Sequence, residues 1–217
     1  MIRAVIFDKD GVLMDSECEY DRRRRIFFEE NGIDDSRFPD FYGSNNEVIW
    51  GCVEPDPIKR EAVYAAFCER FKSEPMDYAA FVYPEAQGVL SDLRAAGLKT
   101  GLASSSPRDC IERFLSDTGL DGLFDFVASG EEVAHNKPAP DVYRHVMVGL
   151  GVEAEDCVVV EDSTLGIAAG KAAGAFVAAV RVPSAPQVDQ GAADIRLESL
   201  ADVVPCVLAD CIGVLGA

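Results

Sequence analysis

Two aspartates one residue apart, Asp8 and Asp10, follow the apolar run of residues 4–7 and precede a glycine. Because the run is apolar at every position, we expect both faces of this predicted strand to be buried, as in a central strand of a parallel sheet. Both carboxylates then lie at the carboxyl end of the strand, where open α/β sheets bind ligands. A divalent cation or a shared proton would relieve their mutual repulsion. The structural alternative is an Asp-x-Asp-Gly turn that only ends the strand.

A second apolar run, residues 157–160, ends in another acidic pair, Glu161 and Asp162. Packing does not account for two carboxylates at the tip of a buried strand, whereas ligation of a metal ion does. The two acidic pairs together therefore indicate a site for a divalent cation.

Three consecutive serines, Ser104, Ser105 and Ser106, stand between a predicted strand and Pro107, which suits the first turn of a helix. Hydroxyl groups and the free N–H groups of a helix start favour an anion such as phosphate, whereas a helix cap explains one serine and not three. Lys137 lies in a proline-flanked loop before another predicted helix. Its ammonium would balance the acidic groups, and a solvated lysine is the alternative.

The rest of the chain predicts strands and helices in alternation. Helices are predicted at residues 16–31, 44–52, 57–72, 85–96, 107–117, 140–149, 164–173 and 198–209, and strands at 98–103, 124–128, 157–160 and 175–180, with a loop or short turn at 73–80. Repeated strand–helix units predict an α/β protein with a doubly wound parallel sheet. Residues 13–82 carry no strong strand signal, so a helical domain inserted after the first strand is the simplest topology.

The acidic composition limits the partners. The chain has 217 residues, 48% of them hydrophobic, and its 20 basic and 38 acidic residues give a net charge of −18. This charge argues against nucleic acid and anionic membranes as partners, and it requires any phosphate site to be made positive locally. No apolar run approaches the ~18 residues of a membrane span, and no secretory segment precedes Asp8.

Seven cysteines, an odd number, lack the close-pair spacing of zinc sites. Cys206 and Cys211 are near each other, but no second pair or nearby histidine completes a site. We therefore expect reduced thiols and a cytoplasmic protein.

Four segments, in chain order, resemble the motifs of the haloacid dehalogenase superfamily, specifically its phosphatase and β-phosphoglucomutase-like branch. They are residues 8–12 (Asp-Lys-Asp-Gly-Val), 103–106 (Ala-Ser-Ser-Ser), 137–141 (Lys-Pro-Ala-Pro-Asp) and 160–163 (Val-Glu-Asp-Ser). The resemblance covers nearly the whole chain. It implies a Rossmann-like core formed by residues 1–14 and 82–217, with an inserted helical cap domain formed by residues 15–81.

The resemblance also implies roles for the acidic residues. Asp8 would be the nucleophile that accepts the phosphoryl group. Asp10 would be the general acid that protonates the leaving alkoxide and then the base that activates water. Mg²⁺ would be the cofactor, and its implied ligands are the Asp8 carboxylate, the Asp10 backbone carbonyl and Asp162, with Glu161 assisting directly or through water.

The implied phosphate site consists of Ser104, Ser105 and Lys137. Three phosphoryl oxygens need donors and positive charge, and an anionic carboxylate must approach an anionic phosphate. Mg²⁺ and Lys137 would make that approach possible in a chain of net charge −18.

Differences from the family's mutases favour a phosphatase. Those mutases grip a second phosphate with the arginine of a cap loop Gly-x-Ser-Arg-Glu, and Asn46 stands at that position here. Tyr20 stands where they have a cap histidine. The expected function is hydrolysis of a small phosphorylated metabolite, a sugar or polyol phosphate. A phosphomutase and a non-catalytic binding protein on the same fold are the alternatives.

The cap residues expected to face the substrate are Tyr20, Ser44, Asn45 and Asn46. Residues 22–25 are four consecutive arginines, which predict a solvated helix face with carboxylate partners. Four consecutive residues cover all sides of a helix, so one or two of these arginines can also face the cleft. Neither the physiological substrate nor the oligomeric state follows from the sequence.

Overall fold

The computed structural model describes residues 1–182, 184–185 and 188–209, and in these ranges six strands form one parallel sheet in the order β3-β2-β1-β4-β5-β6. The strands are β1 (Ala4–Phe7), β2 (Lys99–Ser104), β3 (Phe126–Ser129), β4 (Cys157–Glu161), β5 (Phe176–Val180) and β6 (Ile195–Leu197). β1 pairs with β2 on one side and with β4 on the other. The predicted doubly wound α/β fold is therefore confirmed.

The helices of the described ranges fall into two groups. Between β1 and β2 lie α1 (Glu17–Asn31), α2 (Asn46–Val53), α3 (Pro57–Arg70) and α4 (Tyr78–Phe81). After them come α5 (Ala86–Ala95), α6 (Arg108–Thr118), α7 (Asp141–Leu150), α8 (Thr164–Ala173) and α9 (Val203–Leu208).

The structure differs from the predicted elements in three places. The last helix was predicted from residue 198, but Leu200–Asp202 form a 3₁₀ turn and α9 begins only at Val203. The single turn of α4 lies partly in the segment predicted as a loop, and β6 was not predicted. Both elements are too short to show a helical or strand periodicity in the sequence.

The two faces of the sheet are covered by separate apolar clusters. Val5 and Phe7 of β1 point into a cluster that includes residues of α5 and α6. Ala4 and Ile6 point into the opposite cluster, which includes residues of α7 and α8. All four side chains of β1 are completely buried, as expected for a strand that is apolar at every position. This packing fixes the strand whose end carries Asp8.

The segment between β1 and β2 has an apolar cluster of its own. Its buried members are Phe27, Phe28, Phe41, Ile49, Trp50 and Phe71. The rings of Phe27 and Trp50 meet edge to face at 5.9 Å, a favourable geometry for aromatic pairs. Trp50 thus packs in the interior of the helical insert, and the insert is stabilised from within.

The chain leaves and re-enters the sheet domain at neighbouring points. The Asp15 N–H donates to the Phe81 carbonyl at 3.0 Å, and the Tyr83 N–H donates to the Leu13 carbonyl at 2.9 Å. These paired segments coincide with the predicted division of the chain at residues 14–15 and 81–82, which stays a prediction.

Five cysteines of the described ranges are free thiols: Cys18, Cys52, Cys68, Cys110 and Cys157. Cys211 lies outside those ranges. None of the described helices has the length and apolar character that crossing a membrane requires.

Candidate active site

The structure brings the predicted core residues together at the carboxyl edge of the sheet. Asp8 follows β1, Ser104 ends β2, and Glu161 and Asp162 stand at the end of β4. The loop before α7 adds Lys137 to the same place. All five side chains are buried; Asp8 is the most exposed of them, at 8%.

Lys137 joins two of the carboxylates. Its Nζ donates to Asp8 Oδ1 at 2.5 Å and to Glu161 Oε1 at 2.6 Å, and it also lies 3.3 Å from the Ala103 carbonyl oxygen. Burial opposes the charged form of Lys137, but attraction to both carboxylates outweighs it, so the pKa of Lys137 lies above its ordinary value. The site therefore holds a permanent cation beside Asp8.

Glu161 is fully engaged by donors of this chain. Its Oε1 accepts from Lys137 and from the Tyr143 hydroxyl at 2.6 Å. Its Oε2 accepts from the backbone N–H groups of Asp162 and Ser163 and from the Ser163 hydroxyl. In this structure Glu161 orients Lys137 and the turn after β4, while its predicted contribution to metal binding stays a prediction.

Asp8 and Asp162 are buried carboxylates without full charge compensation. Burial, opposed by Lys137 and reinforced by the neighbouring carboxylates, raises the pKa of Asp8 to about 7. Burial and repulsion from Glu161 and Asp8 raise the pKa of Asp162 well above its ordinary value. Four carboxylates, those of residues 8, 10, 161 and 162, thus share the two buried ammonium groups of Lys9 and Lys137.

This excess of negative charge and the oxygen donor set fit a divalent cation such as Mg²⁺. In the described part of the chain no three carboxylate, thiol or imidazole groups are gathered at metal-binding distance. The predicted ligand set, which combines the Asp8 and Asp162 carboxylates and the Asp10 backbone carbonyl with Glu161 assisting directly or through water, stays a prediction.

Gly11 allows the loop after β1 to approach the end of β4. A Cβ atom at this position would lie 2.0 Å from Asp162 Oδ2, and the residue has a φ of +81°. Only glycine adopts this conformation at low cost and leaves room for the carboxylate. The glycine of the first motif is therefore required by geometry.

Asp10 has a different environment from Asp8. Its Oδ1 accepts from Lys9 Nζ at 2.9 Å and from Ser16 Oγ at 2.6 Å, and its Oδ2 accepts from Ser106 Oγ at 3.2 Å. Burial works against ionisation, but the ion pair with Lys9 and these hydrogen bonds outweigh it, so the pKa of Asp10 lies below its ordinary value. The two aspartates of one motif thus have opposite pKa shifts.

The serine loop after β2 also lines the site. Ser104 and Ser105 face the same cleft as Asp8. The Ser104 hydroxyl accepts from the backbone N–H of Ser106 at 3.1 Å and shapes the turn, while Ser106 contacts Asp10. The serines thus divide between shaping the loop, lining the cleft and holding Asp10.

A cleft of about 760 Å³ separates this site from the helical insert. The insert residues predicted to face the substrate, Tyr20, Ser44, Asn45 and Asn46, all line the cleft. The Asn45 Nδ2 atom donates to the Lys137 carbonyl at 2.9 Å. The Asn46 Nδ2 atom instead donates to the Tyr64 hydroxyl within the insert at 3.1 Å.

Tyr42 makes a contact that the sequence reasoning missed. Its hydroxyl donates to Asp162 Oδ2 at 2.9 Å and thereby joins the insert to the end of β4. The sequence reasoning also missed Lys9 and Ser16, which contact Asp10, and Tyr143, which contacts Glu161. Nothing in their local sequence distinguishes them from ordinary core or helix-start residues.

The four arginines of α1 divide into two pairs. The side chains of Arg22 and Arg25 are 52% and 70% exposed and pair with carboxylates on the helix surface. Arg23 and Arg24 line the cleft. Arg23 Nε lies 2.7 Å from Glu19, and Arg24 Nη2 lies 3.5 Å from Glu17.

Several known proteins are similar to this chain along most of its length. A family model described as haloacid dehalogenase-like hydrolase matches residues 5–180. Hexitol phosphatase B of Escherichia coli (strain K12) is 34% identical over 214 residues, which cover 93% of this chain and 94% of that protein. The phosphorylated carbohydrates phosphatase of Thermotoga maritima is 33% identical, covering 80% of this chain and 82% of that protein. The crystal structure of CbbY from Rhodobacter sphaeroides in complex with phosphate has a TM-score of 0.76 and 25% identity, covering 94% of this chain and 96% of that one.

Proposed function

The chain belongs to the haloacid dehalogenase-like hydrolase family and is a phosphoric monoester hydrolase, and from this premise we propose that it hydrolyses a sugar or polyol monophosphate through an aspartyl-phosphate on Asp8. The observation that carries the proposal is the ammonium of Lys137, 2.5 Å from Asp8 Oδ1. It places a cation where a phosphoryl group must meet an anionic nucleophile.

Asp8 acts as the nucleophile in this proposal. One carboxylate oxygen attacks phosphorus as the bond between phosphorus and the ester oxygen breaks. Lys137 and the donors of the loop at Ser104 and Ser105 bind the phosphoryl oxygens and oppose the repulsion between the two anions. Glu161 keeps Lys137 in place through the contact at 2.6 Å.

Mg²⁺ is the proposed cofactor, held by the carboxylates of Asp8 and Asp162 and the backbone carbonyl of Asp10. When bound, it would balance the negative charge of the buried carboxylates and stabilise the transferring phosphoryl group. The support is the unbalanced negative charge of the site and the oxygen character of its donors.

Asp10 transfers the protons. Because the pKa of Asp10 lies below its ordinary value, Asp10 takes up a proton as substrate binds and gives it to the ester oxygen of the leaving alcohol. It later takes a proton from the water that attacks the aspartyl-phosphate. Its carboxylate is held by donors from three separate segments, so its position is fixed before substrate binds.

The insert, which acts as the cap, favours a substrate with one phosphate. The cap cations lining the described cleft each contact a cap carboxylate: Arg23 with Glu19, Arg24 with Glu17, and Lys72 with Glu69. A second phosphate would have to displace such a pair. The names of the hexitol and carbohydrate phosphatases above support a sugar or polyol as the alcohol. The free thiols of Cys18, Cys52, Cys68, Cys110 and Cys157 support a cytoplasmic setting.

The test is phosphate release by the purified full chain. A panel of hexitol, hexose and pentose monophosphates is assayed with Mg²⁺ and with EDTA, and Asp8→Asn serves as the control. We expect metal-dependent hydrolysis of at least one polyol or sugar phosphate and none by the variant. Isomerisation of a sugar phosphate that needs a bisphosphate primer, without phosphate release, would establish the mutase instead.

A further inference from the structure

Lys9 lies between the two catalytic aspartates, and its side chain is completely buried. Its Nζ atom is 2.9 Å from both carboxylate oxygens of Asp10. The same atom lies 5.5 Å from the ring centre of Tyr78 and 5.6 Å from that of Phe114. Within the described residues, Lys9 is the cation in direct contact with Asp10.

Packing alone does not call for a charge at this position. Moving an ammonium group out of water is costly unless it is paired. Cation–π contacts with Tyr78 and Phe114 recover part of that cost. A methionine is similar in length and flexibility and would fill the space beside the rings without a desolvation cost. The charge is therefore explained by the carboxylate that it faces.

The contacts of Asp10 show what the ammonium adds. Ser16, next to the start of α1, holds one carboxylate oxygen, and Ser106, in the loop after β2, holds the other. Each hydroxyl fixes a single oxygen, whereas Lys9 is equidistant from both. The three donors together leave the carboxylate little freedom to rotate, and the bidentate contact comes from Lys9.

We infer that Lys9 is a positioning residue, which holds the Asp10 carboxyl group in the orientation that proton transfer to the leaving group requires. The inference rests on the proposed function, in which Asp10 takes up a proton as substrate binds and passes it to the ester oxygen as that oxygen leaves phosphorus and Asp8 bonds to phosphorus. Lys9 itself neither gives nor takes a proton in this step.

The test compares leaving groups. An alkoxide leaves only with a proton, whereas p-nitrophenolate is a weak base and leaves without one. The specificity constant kcat/KM reports the steps up to departure of the leaving group, so it isolates the first transfer. We expect Lys9→Met to lower kcat/KM for an alkyl phosphate by roughly 10- to 100-fold, the scale expected for a misplaced catalytic group. The value for p-nitrophenyl phosphate should change by less than about threefold, because that step does not use the Asp10 proton.

Two further variants complete the test. Lys9→Gln retains an N–H donor without the charge, and it should lie between the wild type and Lys9→Met; it also takes over the comparison if Lys9→Met does not fold. Arg94→Met removes a remote ion pair with Asp125 and should leave both substrates unaffected. Thermal unfolding of each variant reports whether the fold is retained.

The outcomes separate the two claims. If the wild type hydrolyses both substrates and Lys9→Met slows them equally, or slows neither, the positioning role is overturned and the proposed function stands. If the wild type hydrolyses no phosphate monoester and forms no phosphoprotein, the proposed function fails and the inference fails with it. A selective loss on the alkyl phosphate supports both.

Discussion

The metal-free protein is expected to be more stable at about pH 5 than at about pH 7.5, because the folded state binds a proton at Asp8 more tightly than the unfolded chain does. Burial raises the pKa of Asp8 from 3.8 to about 7, and the repulsion of Glu161 and Asp10 adds to the increase. The attraction of Lys137 opposes it. The stabilisation from this proton is complete below the unfolded pKa and is lost as the pH rises through the folded pKa.

The size of the effect follows from the pKa difference. Each pH unit between the two pKa values corresponds to about 1.4 kcal/mol. Lowering the pH from about 7.5 to about 5 crosses roughly two of these units below the folded pKa, so Asp8 should stabilise the fold by roughly 3 kcal/mol. Because Asp8 is buried, solvent screening reduces this stabilisation only slightly.

The assay is urea unfolding in EDTA at both pH values, with Asp8→Asn as the matched control. The net charge of −18 makes general repulsion weaker at low pH in both proteins, so the difference between them reports Asp8 together with its effect on the pKa of Asp162. Addition of Mg²⁺ near neutral pH should stabilise the wild type more than the variant. The same pH dependence in both proteins would refute the reasoning.

Three further substitutions test other parts of the site. Asp10→Asn should lower kcat/KM for an alkyl phosphate by ~10²–10⁴-fold. It should retain Mg²⁺ binding, measured by calorimetry, because the proposed ligand there is the backbone carbonyl. Loss of binding would contradict that assignment. Asn46→Arg should break the hydrogen bond to Tyr64. It should tighten binding of a hexose bisphosphate by roughly 1–3 kcal/mol, with little change in KM for the monophosphate. Equal effects on both substrates would show that position 46 does not face the distal end of the substrate. Gly11→Ala should weaken Mg²⁺ binding more than it lowers the Tm, since its Cβ would lie 2.0 Å from Asp162 Oδ2; wild-type affinity in the folded variant would disprove the close approach.

The sheet and the core of the site were predictable because their signals are local. β1 is apolar at every position, and both of its faces are buried. Polar residues at the ends of β1, β2 and β4 meet at one edge because parallel strands place their carboxyl ends together. The positions of Asp8, Ser104 and Asp162 at predicted strand ends were therefore enough to predict that they meet.

The remaining contacts depend on distances that no local pattern contains. Tyr42 reaches Asp162, which is 120 residues further along the chain, and Tyr143 on α7 reaches Glu161. Lys9 carries the same formal charge as a surface lysine, and only the packing of Tyr78 and Phe114 around it shows that it is interior. Which of the four arginines line the cleft depends on the rotation of α1 about its own axis, and the local sequence does not give that rotation.

The paired segments at residues 13–15 and 81–83 bear on how the first strand finds its partner in the sheet. The pairing of β1 with β2 joins residues that are far apart in sequence, such as Phe7 and Leu102, and closing a long flexible loop costs conformational entropy. The intervening helices have their own aromatic interior. Once they have folded, their two ends lie side by side. If the insert folds first, β1 meets β2 across a shorter effective loop, which lowers the entropy cost of closing it.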